Sequence, residues 1–260
     1  MRCSMDQIQV MDKSDQIKKI ICIMSGKGGV GKSTVTVMLA DALINRGYRL
    51  GILDADITGS SIPNLLKINN VQLSPEQDTI KPYLTEKGLQ VVSINLMLDD
   101  QSQPVVWRGT VLANVLKNIW TKAKWDHLDY LLIDMPPGSS DIVLTVLQQI
   151  HPNAVIMVSN PQELVQSIVN KATELVYQMN IKVLGTIINM SFYTCPCCGK
   201  EFTLYQDRHV QNYKHRVIGE LPALQIINDL AETKEQISEI ASKYMGPITE
   251  LIVNELKFMY

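Results

Sequence analysis

The residues with the clearest chemistry form a glycine-rich stretch, Ser25-Gly26-Lys27-Gly28-Gly29-Val30-Gly31-Lys32-Ser33-Thr34. Its glycines let the backbone turn N–H groups inward around an anion, and a helix starting near Ser33 adds the positive end of its dipole. Lys32 can reach the terminal phosphates of a nucleotide, and the Ser33 hydroxyl can bind Mg²⁺. The predicted nucleotide-binding residues of this loop are Gly28, Gly29, Val30, Gly31, Lys32, Ser33 and Thr34.

Two later strand ends carry carboxylates. Asp54 and Asp56 follow an apolar run, and Asp134 ends another before Met135-Pro136-Pro137-Gly138. A carboxylate that leaves a strand beside a phosphate loop can orient water or bind Mg²⁺. Alone, such aspartates fit turn or helix capping equally well. With the glycine-rich loop, they predict that Asp134 holds Mg²⁺ with Ser33 and that Gly138 offers a backbone N–H to a γ-phosphate.

A second kind of chemistry is indicated by Thr194-Cys195-Pro196-Cys197-Cys198-Gly199. Cys195 and Cys198 have the C-x-x-C spacing that aims two thiolates at one ion or cluster. A tetrahedral zinc site or a four-iron cluster needs four ligands, and the chain has no second C-x-x-C pair. Cys22 falls in a predicted buried strand and Cys3 in a predicted tail. The simplest completion is a two-fold dimer in which each subunit supplies Cys195 and Cys198.

Apolar runs that predict strands alternate with amphipathic stretches that predict helices, which favours a single, doubly wound, mostly parallel α/β sheet with helices on both faces. Ligands are then expected at the carboxyl ends of the strands. The predicted strands are Ile20–Met24, Arg49–Leu53, Gln90–Ile94, Tyr130–Ile133, Ala154–Val158, Val183–Ile188 and Val217–Gly219. The predicted helices are Ser33–Asn45, Val111–Trp120, Asp141–Gln149, Gln162–Gln178 and Lys234–Leu256.

The elements divide the chain into a flexible tail, residues 1–17, and a nucleotide-binding domain, residues 18–260. Two insertions interrupt the alternation, at about residues 59–89 and 191–213, and the second contains a metal loop near residues 191–203. Insertions of this length in a compact domain are more often functional than idle.

The composition excludes several classes of protein. The 260 residues are 46% hydrophobic and 19% charged with a formal charge of −2, so bulk charge gives no reason to expect nucleic-acid binding. No apolar run approaches the roughly 20 residues that span a bilayer, and Met1 to Asp6 lack a secretory apolar core. We therefore expect a cytoplasmic protein with neither nucleic acid nor membrane as a partner.

These segments together resemble the Mrp/ApbC family of iron–sulfur cluster carrier ATPases, in the deviant Walker A group of P-loop NTPases. Lys27 carries the resemblance to that group, since its members extend this lysine across a dimer interface to the partner's nucleotide. The resemblance implies that the nucleotide is ATP, that Asp56 orients the attacking water and that Asn189 reads the adenine edge. It also implies a homodimer that holds a 4Fe-4S cluster between Cys195 and Cys198 of both subunits and passes it to apo iron–sulfur client proteins.

Several features depart from the family pattern and leave alternatives open. Cys197 stands where the family has a non-thiol residue, Ser139-Ser140 replaces the usual Thr-Gly, and no glycine-rich segment follows Gly199. Zinc in place of the cluster, or unliganded structural cysteines, also fits a C-x-x-C pair. A MinD- or ParA-like positioning or regulatory ATPase without a cluster is the main rival function. It predicts a basic amphipathic C-terminal helix, whereas residues 233–260 carry a mixture of lysines and glutamates.

Overall fold

The computed structural model describes residues 13–56, 59, 61–68, 71–73, 78–97, 109–138, 140–195, 197–203, 215–223 and 230–257. Over these residues the strands are β1 Ile17–Ser25, β2 Leu50–Asp54, β3 Tyr83–Leu84, β4 Gln90–Ser93, β5 Leu128–Asp134, β6 Ala154–Ser159, β7 Lys182–Thr194, β8 Glu201–Thr203 and β9 Val217–Pro222. The helices are α1 Lys32–Ile44, α2 Ile62–Leu65, α3 Gly109–Lys122, α4 Asp141–Ile150, α5 Glu163–Gln178 and α6 Leu230–Lys257, with a 3₁₀ turn at Ile94–Met97.

The described strands form one mixed sheet in the order β3-β4-β2-β5-β1-β6-β7-β8, with β9 paired to β7. Only the β3–β4 and β7–β8 pairs among them are antiparallel, which confirms the predicted mostly parallel α/β fold. The register aligns Asp134 with Ile23 of β1 and with Asp54 of β2. The ends of β1, β2 and β5 therefore meet at one edge of the sheet, where the glycine-rich loop also begins.

Helix α1 positions the loop. It is buried on nearly every side because it packs against α2 and α6 as well as the sheet, and a helix that is apolar all round is typical of such a central place. The chain leaves the helix through Gly47, whose φ is 87° and whose N–H donates to the carbonyl of Ile44 at 2.8 Å. This left-handed residue confirms the predicted stop before Gly47.

The structure differs from the sequence prediction at the boundaries of two strands and inside the first insertion. Strand β1 already begins at Ile17, and Lys13 accepts backbone hydrogen bonds from Gln16 and Ile17, so the predicted tail extends too far; residues 1–12 lie outside the described residues. Strand β7 continues to Thr194 and pairs with β8, so the second insertion starts as a β-hairpin. The first insertion contains α2 and β3, both too short to show periodicity. None of the described helices is long and apolar enough to cross a membrane.

Candidate nucleotide site and cysteine turn

The glycine-rich loop connects β1 to α1, and two of its glycines have backbone conformations that favour glycine. Gly29 and Gly31 both have left-handed φ values, 78° and 79°, which favour glycine. A methyl group would meet no heavy atom within 4 Å at Gly29, but at Gly31 it would lie 2.2 Å from Asn189 Nδ2. That amide donates to the carbonyl of Val30 at 3.0 Å. Asn189 therefore braces the loop from β7, and its predicted contact with adenine stays a prediction.

The predicted nucleotide residues from Gly28 to Thr34 line one cleft of about 280 Å³, together with Lys27, Asp56 and Pro137. This volume lies near the lower end of the range for ligand pockets. Lys27, Gly28 and Gly29 are exposed at its surface, whereas the Lys32 side chain is only 6% exposed. The structure thus brings most of the predicted loop residues to a single concave surface. Asp134 lies beneath it, fully buried.

Asp134 is the centre of the buried polar contacts. Ser33 Oγ donates to Asp134 Oδ2 at 2.6 Å, and Thr36 Oγ1 lies 2.9 Å from Asp134 Oδ1. Lys32 Nζ is 2.8 Å from Asp134 Oδ2, an ion pair whose angles do not meet those of a hydrogen bond. Residue types and spacing predicted the pairing of Ser33 with Asp134 but not the contact of Thr36. The available signal was its spacing, because Thr36 follows Ser33 by three residues on the same face of α1.

Asp56 is the second carboxylate near the Lys32 ammonium group. Its Oδ2 lies 3.6 Å from Lys32 Nζ, and its Oδ1 accepts a hydrogen bond from the N–H of Gly59 at 3.1 Å. Neighbouring Asp54 accepts hydrogen bonds from the Ser93 hydroxyl at 3.0 Å and the N–H of Asp56 at 3.2 Å. One ammonium therefore faces two buried carboxylates, those of Asp56 and Asp134. A net negative site with hard oxygen donors fits Mg²⁺.

Gly138 makes a contact that the sequence did not predict. Its N–H donates to the carbonyl of Ser25 at 2.8 Å, and its φ is 80°. The same N–H must leave Ser25 before it can bind a phosphate oxygen, because an N–H is a single donor. The role of Gly138 as a γ-phosphate sensor stays a prediction. In that role its N–H would exchange the Ser25 carbonyl for a phosphate oxygen.

The cysteine turn connects β7 to β8. Cys195 N donates to the carbonyl of Lys200 at 2.9 Å, and Gly199 N, at a left-handed φ of 70°, donates to the carbonyl of Cys195 at 2.8 Å. Cys195 is half-buried, whereas Cys197 and Cys198 are exposed; Pro196 lies outside the described residues. The backbone N–H groups of Cys198 and Cys197 stabilise the thiolate and lower the pKa of Cys195.

The turn supplies only part of a metal site. No cluster of three or more His, Cys, Asp or Glu side chains suited to a metal ion exists within the described ranges. Cys22 is fully buried in β1, and burial raises the pKa of its thiol, so it remains a packing residue as predicted. Beside Cys195 lies a cleft of about 410 Å³, whose far wall is α6 at Glu239, Lys243 and Tyr244. The Cys195 side chain is therefore accessible from this cleft.

Comparison with protein families gives a match along most of the chain. The model of the NUBPL iron-transfer P-loop NTPases, in the ParA group, matches residues 16–256. An iron–sulfur cluster carrier protein of Clostridium perfringens (strain 13 / Type A) is 43% identical over 230 residues, which cover 84% of this chain and 80% of that protein.

Solved structures agree with this match. A nucleotide-binding protein from Archaeoglobus fulgidus in complex with ADP superimposes with a TM-score of 0.72 at 36% identity, covering 88% of this chain and 90% of the other. The septum site-determining protein MinD from Pyrococcus horikoshii OT3, complexed with Mg-ADP, has a TM-score of 0.60 at 20% identity, with coverage of 93% and 96%. The second likeness concerns the fold alone.

Proposed function

Because the chain belongs to the family of NUBPL iron-transfer P-loop NTPases, we propose that it is an ATP-hydrolysing carrier of iron–sulfur clusters. The observation that carries the proposal is the cysteine turn. It presents Cys195 and Cys198 at the tip of a hairpin, with the Cys195 thiolate stabilised by backbone N–H groups. Thiolates are the ligands that iron–sulfur clusters require. Apo iron–sulfur proteins are then the acceptors of the cargo.

The nucleotide half of the proposal rests on the cleft below β1, β2 and β5. Lys32 and the loop backbone bind the phosphates of ATP, and Ser33 and Asp134 hold Mg²⁺, which neutralises charge on the phosphates. Asp56 orients the attacking water from the wall of the cleft. Support comes from the Ser33–Asp134 hydrogen bond and the shared contact of both aspartates with Lys32. These contacts hold the side chains in place before a nucleotide binds.

The active form that we propose is a homodimer, because two separate sites are incomplete in one chain. Cys195 and Cys198 supply half of the four ligands of a 4Fe-4S cluster, and a two-fold axis delivers equivalent residues in pairs. Exposed Lys27 lies at the mouth of the nucleotide cleft, from which it extends to the partner's nucleotide. One symmetric interface would complete both sites.

Hydrolysis acts in this proposal as a switch. The N–H of Gly138 bonds to Ser25 in this structure, and a γ-phosphate competes for that donor. Loss of the phosphate returns Gly138 to Ser25 and releases Asp56, so the segments that carry them alternate between two arrangements. These segments follow β5 and β2, and a change there alters the dimer geometry around the cysteine pairs.

Anaerobic reconstitution with iron and sulfide tests the function. We expect a broad absorbance near about 400 nm, typical of thiolate-bound clusters, and the ability to activate an apo-ferredoxin. Cys195→Ser and Cys198→Ser should abolish both, whereas Cys197→Ser, a matched change in the same turn, should leave them intact. A colourless protein that binds zinc, or a cluster that survives both substitutions, would contradict the proposal.

A further inference from the structure

A second cleft, of about 330 Å³, lies between α1, α2, residues 83–89 and α6. It is separate from the nucleotide cleft. Asp41, which lines it, follows Lys32 by nine residues in α1, or roughly 14 Å along the helix axis at 1.5 Å per residue. No side chain of the predicted nucleotide site or of the cysteine turn lines it.

The unusual feature of this cleft is the Asp41 carboxylate. Asp41 is only 8% exposed, although aspartate side chains in folded proteins are mostly exposed to solvent. One oxygen, Oδ1, forms an ion pair with the ammonium group of Lys87. The other, Oδ2, is buried and receives no hydrogen bond from the part of the chain that the structure describes. A buried carboxylate oxygen without a donor is unfavourable, so it is a strong acceptor for any donor that enters.

The remaining walls of the cleft determine the shape of a suitable ligand. One wall is apolar, with Val37, Leu89 and Ile237 each at most 5% exposed, and Lys67, Glu86 and Lys87 line the rest together with Asp41. Leu65 and Leu66 add a partly buried apolar edge at the end of α2. An occupant therefore needs an apolar body for these residues and a hydrogen-bond donor for Asp41. The lysines and carboxylates of the lining balance in charge, but an anionic ligand has no proton to donate to Asp41, whereas a protonated amine is both a donor and a positive charge.

We propose that this cleft is a binding site for a small molecule that carries a protonated amine on an apolar body. The amine donates to the Asp41 carboxylate, and the apolar body packs between the α2 leucines and Ile237. The occupant thereby contacts α1, which carries Lys32 and Ser33, and α2, which starts shortly after Asp56. This inference does not rest on the iron–sulfur proposal, since none of the cysteines takes part.

The probe for the test is phenethylamine, with phenylacetate as its anionic counterpart of similar size. The full chain, labelled at leucine and isoleucine methyl groups, is titrated with each compound and followed by NMR. We expect saturable shifts at Leu65, Leu66 and Ile237 with phenethylamine and none there with phenylacetate. Equal shifts with both compounds, or none with phenethylamine, would overturn the proposal.

Three variants test whether Asp41 binds the amine. Asp41→Asn should weaken phenethylamine binding by about tenfold or more, the effect of losing a hydrogen bond to a charged group. Lys87→Met should strengthen binding, because it removes the ion pair of Asp41 Oδ1 and leaves both carboxylate oxygens free to accept from the amine. Lys81→Met, an exposed lysine outside the cleft, should change nothing. Circular dichroism and ATP binding verify that each variant is folded. An unchanged affinity in folded Asp41→Asn would refute Asp41 as the acceptor of the amine's hydrogen bond.

Discussion

Thr36 provides a direct test of how the nucleotide site is held together. Its hydroxyl is fully buried and lies 2.9 Å from Asp134 Oδ1 and 3.0 Å from the carbonyl of Lys32. The change Thr36→Val keeps the shape of the side chain and removes the hydroxyl. Asp134 Oδ1 then loses this donor, whereas Oδ2 keeps its contacts with Ser33 and Lys32.

The size of the effect follows from the charge on the acceptor. A hydrogen bond to a charged group contributes about 1.5–3 kcal/mol to stability, and a protein of this size loses about 2–4 °C in Tm for each kcal/mol. Thr36→Val should therefore lower Tm by roughly 3–12 °C. It should also weaken Mg²⁺ binding by about tenfold to a hundredfold, because residues that orient a metal ligand have effects of that size.

Thr173→Val is the matched control. Thr173 is equally buried in α5 and donates to the carbonyl of Val169 at 2.8 Å, four residues back, and the Thr36 hydroxyl lies at the same sequence spacing from the carbonyl of Lys32. Thermal unfolding and the Mg²⁺ dependence of ATP hydrolysis are measured for both variants. If Thr36→Val and Thr173→Val lower Tm equally and leave the Mg²⁺ dependence unchanged, the reasoning that places Thr36 in support of Asp134 is refuted.

Two further predictions concern the same loop. Gly31→Ala and Gly29→Ala both place a methyl group at a positive φ, a strain of about 1–2 kcal/mol, but only the methyl group at Gly31 collides with Asn189. The affinity for ATP, measured by calorimetry, should therefore fall much further for Gly31→Ala. Equal losses of affinity in the two variants would argue that Asn189 does not brace the loop. Lys27→Ala should retain ATP binding and lose most hydrolysis, whereas the exposed-lysine control Lys81→Ala should retain both; full hydrolysis by Lys27→Ala would exclude its action on the partner's nucleotide.

The sequence predicted the parallel sheet well because its strands are buried on both faces. Strand β6, Ala154–Ser159, is buried at every residue, and such a strand must be a continuous apolar run. It predicted less well where polar residues interrupt a strand. Strand β7 passes through Asn189 and Ser191, and Met190 between them has a left-handed φ of 56°. The apolar run therefore ended before the strand did.

Contacts between distant parts of the chain explain what the sequence missed in the site. Residue types and spacing predicted Lys32, Ser33 and Asp134, because phosphate and Mg²⁺ chemistry demands them. The Gly138–Ser25 bond and the support of Asp134 by Thr36 join segments about a hundred residues apart. Glycine and threonine occur in many other structural roles, so neither residue type predicts which residue it will contact. Such contacts become visible only when the strands are placed side by side.

Native mass spectrometry of the anaerobically reconstituted protein tests the central claim most directly. A cluster held jointly by Cys195 and Cys198 of two subunits predicts one species at twice the 29.2 kDa chain mass, with a single four-iron cluster. Cys195→Ser should remove the cluster mass from that species, and Cys197→Ser should not. A cluster or a zinc ion bound to single chains would contradict the shared site.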